Sequence, residues 1–181
     1  MPFFANGTMI CTLSGEKPVE RIEVGDRVVT RDNGLQTVRQ VYCRDYDFGQ
    51  ITAARHLQPV LVSAGALGPS LPERDMLVSP NQRLLPDHKG DLAGADDQDR
   101  LVAAKNLIDN RTIRTCSVLG VRYVHFEFAR HEVVLANGVW AECFNPEDMS
   151  LGAQGNAQRT EIFDIYPERK PAPALRKAAD A

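Results

Sequence analysis

GTMICTLSGEKPVERIEVGDRVVTRDNG, residues 7–34, shows on a small scale the pattern that organises the whole chain. RVVTR at 27–31 is a short β-branched run, the composition that suits a pleated, half-buried strand. The turn signal SGEKP lies ahead of it at 14–18, and Asp32-Asn33-Gly34 follows it. Gly25-Asp26 and Asp32-Asn33-Gly34 are steps that accept the unusual backbone of tight turns between strands, so they read as fold determinants.

The same alternation continues outward. QTVRQVYC, QPVLVSAG, DMLVS, TIRTCSVLG, RYVHFEFA and HEVVLA are short and rich in β-branched or aromatic residues. PDHKGD at 86–91 and ANG at 136–138 separate some of them as turns. Helical periodicity is scarce; RLVAAKNL at 100–107 predicts one short helix. The fold class is therefore mainly β. GDLAGADDQDR at 90–100 reads as an acidic surface loop, with His88 exposed just before it. One domain over residues 1–150 is expected, followed by a Pro/Ala-rich extension, 151–181, that reads as a partly flexible terminus. VERIEVGDRV at 19–28 and AKNLIDNRTI at 104–113 share an apolar spacing, Ile22 to Val28 and Leu107 to Ile113, which fits a fold of two similar halves.

The chain has 181 residues, 43% of them hydrophobic, enough for one real core. Its net charge is −3 and its Lys and Arg residues are scattered, so no nucleic-acid or polybasic membrane footprint is expected. No apolar run approaches the roughly 20 residues of a membrane-spanning helix. The N-terminus lacks the basic and apolar regions of a signal peptide, which makes a cytoplasmic location the default; leaderless secretion stays open. Cys11, Cys43, Cys116 and Cys143 form no CxxC pair and are expected as reduced, mostly buried thiols.

Three blocks carry a resemblance: residues 7–34 above, VLVSAGALGPSLPERDMLVSPNQRLL at 60–85, and YVHFEFARHEVVLANGVWAECF at 123–144. In order and content they resemble the Hint (Hedgehog/intein) domain family, especially its bacterial members outside true inteins. The resemblance runs from Phe3 to about Phe144. It implies a compact all-β horseshoe or disk with pseudo-two-fold halves and no cofactor. It also implies a chemistry. A Cys or Ser at the first residue of the domain attacks the carbonyl before it, and a Thr-x-x-His element holds that carbonyl and protonates the departing amide. Inteins then release their other end with a penultimate His and a terminal Asn.

The first step needs a nucleophile beside its own preceding peptide, because proximity supplies up to ~7–11 kcal/mol of such an acceleration. Counting back from Gly7-Thr8, that residue is Phe3, whose ring has no lone pair and no transferable proton. It reads instead as an aromatic anchor. Cys11 lies eight residues on and reads as a packed cysteine. Ser79-Pro80-Asn81-Gln82 aligns with Thr-x-x-His. Ser79 keeps a hydroxyl, but Gln82 cannot titrate, and general acid catalysis is worth about 10²–10⁴-fold. In ANGVWAEC at 136–143, Glu142 stands for the intein His and Cys143 for the Asn; a thiol cannot carry out the cyclisation of an Asn side chain. Only Met1 and Pro2 precede Phe3 here; if Met1 is the natural start, scission at Phe3 is expected to release nothing useful.

His125 and His131 remain. The family places a histidine at His131, where it supports the cleft. An even spacing on one unbroken strand would put both on one face, unless Ala129-Arg130 interrupts it. They are weak metal candidates because no third ligand stands near, and a structural role is the simpler reading. Trp140 and Phe144 read as core, His56 has no informative context. The leading expectation is a Hint-type domain that has lost self-cleavage and acts as a structural or protein-interaction module. Its partner would be a protein or peptide, and no nucleic acid or membrane is expected. Self-processing through an unorthodox nucleophile, such as Ser79 or a cysteine, is the first alternative. A metal- or small-molecule-binding β scaffold is the second.

Overall fold

A computed structural model describes residues 2–87 and 101–146. Fourteen strands lie within them: β1 (Phe4–Ala5), β2 (Met9–Thr12), β3 (Gly15–Pro18), β4 (Arg27–Thr30), β5 (Gly34–Thr37), β6 (Gln40–Asp47), β7 (Val60–Val62), β8 (Met76–Val78), β9 (Arg83–Leu84), β10 (Val102–Ala103), β11 (Ile113–Thr115), β12 (Gly120–Glu127), β13 (Glu132–Ala136) and β14 (Val139–Cys143). Every pairing between them is antiparallel. One sheet has the order β11-β7-β8-β1-β12-β6. The other has the order β10-β9-β14-β13-β2-β4-β5, with β3 added on β2.

The β-branched runs form strands as their composition requires. RLVAAKNL does not form the expected helix: its core is β10, followed by a single 3-10 turn, Ala104–Asn106. β10 pairs with β9, and that backbone ladder outweighs the modest helix preference of the Ala and Lys residues. The α-helix, α1 (Phe48–Ala53), lies where none was expected. Its cue is local: Asp47 caps the helix by accepting from the Gln50 amide, while the Gln50 side chain accepts from the Asp47 amide. The 90–100 loop, His88 and the 151–181 extension lie outside the described residues.

The internal echo is structural. After β1 the Thr8 carbonyl accepts from Val19 N–H, which opens the 3-10 turn Val19–Arg21; β4 follows. After β8 the Gln82 carbonyl accepts from Ala104 N–H, which opens the 3-10 turn Ala104–Asn106; β11 follows. Val19, Ile22 and Val28 are buried in the first unit, Ala104 and Ile113 in the second, and Leu107 packs against the same core.

Side-chain alternation along the strands divides the core in two. Phe4, Val124 and Phe126 from the first sheet meet Ile10, Val28, Val134 and Ala141 from the second in the larger cluster. Phe3, Ala5, Val121 and Tyr123 turn to the opposite face and pack with Tyr46, Ile51, Leu57 and Phe144. α1 and the 3-10 turn Arg55–Leu57 thus cover the second face, through Ile51 and Leu57. Full burial of each such side chain contributes roughly 1.5–3 kcal/mol.

Candidate functional site around the Pro2–Phe3 peptide

β1 runs between β8 and β12, near the middle of its sheet, so the peptide bond just before it is held on several sides. Phe3 N–H donates to Ser79 Oγ at 2.9 Å, and Ser79 N–H returns a bond to the Phe3 carbonyl at 3.1 Å. The Phe3 ring is 1% exposed. It stacks on Tyr123 with centroids 5.5 Å apart and meets the His125 ring edge-on at 6.0 Å. Tyr123 is itself anchored, its hydroxyl donating to the Leu57 carbonyl at 2.9 Å.

His125 holds the other side of the same peptide. Its Nδ1 lies 3.1 Å from the Pro2 carbonyl oxygen and its Nε2 lies 3.0 Å from Glu127 Oε1. His125 and Glu127 are both buried, two residues apart on β12 and therefore on one face. A carbonyl only accepts, so Nδ1 carries a hydrogen. Carboxylate, imidazole and carbonyl form one proton-holding row aimed at the bond before Phe3.

Gln82 belongs to a second cluster. Its Nε2 donates to the Glu142 carbonyl at 2.8 Å and to the Arg83 carbonyl at 3.2 Å. Both partners are acceptors, which fixes which end of the carboxamide is nitrogen. Its Oε1 is buried without a hydrogen-bond partner among the described residues. The Glu142 carboxylate lies 3.3 Å from the Arg83 guanidinium and 3.9 Å from His131 Nε2. The His131 ring also meets Phe144 at 6.3 Å. Cys143 is buried and donates its thiol hydrogen to the Phe126 carbonyl at 2.7 Å. Burial pushes that thiol well above its ordinary value, and the nearby Glu127, Glu142 and Glu132 charges push it further. It is a neutral packed group.

Phe3, Ser79 and His125 thus surround one peptide; Gln82 bonds the Glu142 backbone, and the Glu142 carboxylate faces Arg83 and His131. His125 and His131 are not neighbours on one strand. The chain bends at Ala129-Arg130, between β12 and β13, and the two rings take different partners. Among the described residues no three His, Cys, Asp or Glu side chains gather as a metal set. Of the four cysteines, all free, Cys143 is buried, Cys11 and Cys116 are half-buried, and Cys43 is exposed. The expectation that most are buried fails: of the four, Cys143 alone is buried. Sequence reasoning also missed Glu127 and Asn145, whose Nδ2 donates to the Phe128 carbonyl at 2.9 Å. The two-residue step from His125 was a legible signal for Glu127; nothing local marked Asn145.

The fold and this arrangement define a class: an antiparallel β domain closed around the Pro2–Phe3 peptide bond. The chain belongs to the Hint domain family, whose sequence profile matches residues 2–148. A DnaB intein from Synechocystis has a similar fold, with TM-score 0.50 and 10% identity over 80% of this chain and 100% of that one. A bacterial intein-like domain from Clostridium thermocellum matches with TM-score 0.44 and 15% identity, over 79% of this chain and 99% of that one. The gp41-1 intein matches with TM-score 0.43 and 13% identity, over 79% and 98%. No curated protein is significantly similar in sequence.

Proposed function

We propose that this Hint-family domain does not cleave its own backbone and serves as a structural or protein-interaction module. The carrying observation is the buried Phe3 ring, which fills the place where the attacking group would have to stand. Three further features support the reading. The Gln82 side chain donates to the β14 backbone and cannot titrate, so it supplies no proton. Cys143 is desolvated and held by a carbonyl. Ser79 is poorly placed as a substitute nucleophile: it accepts the Phe3 N–H, so its oxygen approaches in the peptide plane, whereas attack on a carbonyl carbon comes from above that plane. His125 and Glu127 are then a retained clamp on the Pro2 carbonyl. The partner of the module is a protein or peptide; the function needs no cofactor, nucleic acid or membrane.

The test uses the full chain behind an added N-terminal tag, followed by intact mass over time with and without dithiothreitol or hydroxylamine. A single uncleaved mass is expected. Tag release that disappears in Ser79→Ala would overturn the reading in favour of self-processing. The double variant Phe3→Cys, Gln82→His returns the two missing groups and is expected to release the tag with hydroxylamine, which locates the block in the side chains and not in the scaffold.

A further inference from the structure

We infer that His125, aimed by Glu127, is the group that stabilises negative charge on the Pro2 carbonyl oxygen in acyl transfer at this peptide. His125 thereby takes a catalytic role and Glu127 a positioning one. The inference goes beyond the reading above: it concerns the half of the centre that Phe3 does not replace, and it holds whether or not the natural chain cleaves.

The family resemblance assigns the carbonyl to the element at Ser79 and Gln82, but both have other partners here. Pro2–Phe3 is a trans peptide, so its N–H and C=O point to opposite sides. β8 and β12 flank β1, and each side takes one of the two groups. On the β8 side Phe3 N–H donates to Ser79 Oγ, while Gln82 Nε2 donates to the Arg83 and Glu142 carbonyls. On the β12 side Phe4 pairs with Val124, so His125 comes opposite Phe3, and its Nδ1 lies 3.1 Å from the Pro2 oxygen. Among the described residues no other donor bonds that oxygen.

His125 is 2% exposed, so water gives little help to charge that builds on the carbonyl oxygen, and a donor already in place is worth most there. Packing alone does not aim that donor. The Phe3 ring meets the imidazole edge-on and the Tyr42 ring stacks on it at 6.3 Å, which fixes the plane of the ring. A half-turn within that plane's constraint would still exchange Nδ1 for a carbon. Glu127 removes the ambiguity. It lies two residues on, on the same face of β12, and its carboxylate is 3.0 Å from Nε2; the turned ring would present a carbon to it and lose the bond. A carboxylate that holds the second nitrogen of an imidazole fixes its orientation without itself touching the reacting atoms.

Two measurements test this. Pro-Phe occurs once in the chain, so with ¹³C-carbonyl proline and ¹⁵N-phenylalanine a single HNCO signal reports the Pro2 carbonyl of the natural sequence. His125→Phe should move that signal upfield, as a carbonyl losing a donor does. Glu127→Leu should move it at least half as far, and Glu127→Gln, whose amide can donate to Nε2, should leave it near its natural position. If Glu127→Leu fails to fold, the ring nitrogens of His125 in the natural chain decide: a hydrogen on Nδ1 is expected, and a bare Nδ1 overturns the inference. The second measurement uses the tagged Phe3→Cys, Gln82→His chain. There the new thiol adds to the Pro2 carbonyl carbon, the C–N bond to residue 3 breaks, and the thiol proton ends on the freed amine; hydroxylamine then takes the acyl group and returns the thiol. Adding His125→Phe should slow tag release at least tenfold. A Pro2 signal indifferent to His125→Phe or to Glu127→Leu overturns the inference. So does a tagged double variant that releases its tag as fast without His125, or releases none.

Discussion

Phe3→Ala tests the idea that an aromatic anchor occupies the old reaction centre. The ring is 1% exposed, stacks on Tyr123 and sits in the cluster with Tyr46, Ile51, Leu57 and Phe144. Truncating a buried Phe to Ala typically costs about 3–5 kcal/mol, of which the aromatic pair supplies about 0.5–1.5. A domain of this size holds only about 5–15 kcal/mol in total. With a urea slope of ~2 kcal/mol/M, the unfolding midpoint should fall by ~1.5–2.5 M, with the slope itself unchanged. Phe3→Leu keeps most of the volume and loses the stack, so its midpoint should fall by less than half as much. Neither variant should acquire cleavage, because neither residue carries a nucleophile. Equilibrium urea unfolding followed by tryptophan fluorescence and far-UV circular dichroism reads both. A loss below ~1 kcal/mol for Phe3→Ala would refute the reasoning, since a ring that stabilises so little is not an anchor.

Three other outcomes follow from these buried groups. Ser79→Ala leaves the buried Phe3 N–H without its 2.9 Å acceptor and should cost about 1–3 kcal/mol, largely recovered by Ser79→Thr; urea midpoints for the pair decide it. The Cys143 thiol is raised above its ordinary 9.0 by burial, and Tyr123 is raised above its ordinary 10.0 by burial and by Tyr46. In the unfolded chain these groups release protons that the folded chain retains. Stability from them is complete below those ordinary values and should fall as pH rises from about 9 upward, as urea midpoints between pH 7 and 10.5 would show. Native Cys143 should also stay unreactive toward a thiol reagent under conditions that label Cys43.

Local sequence alone determined the strand-rich class, since runs such as RVVTR and HEVVLA and the turns between them state their preference without help from distant residues. It also determined the two-unit plan: the echo of 19–28 in 104–113 became two 3-10 turns opened by matching hydrogen bonds. That Phe3 carries no nucleophilic atom was legible for the same reason, being a property of one side chain. What tertiary structure decided was everything that depends on separation. β1 and β9 are two residues long and exist as strands only because partners far along the chain pair with them. RLVAAKNL yielded to such a partner. The contact between His125 and the Pro2 carbonyl joins residues 123 positions apart, so no local pattern could announce it. Short-range propensity is worth tenths of a kcal/mol per residue; once packing and pairing across a sheet contribute more, the folded chain alone decides which groups meet.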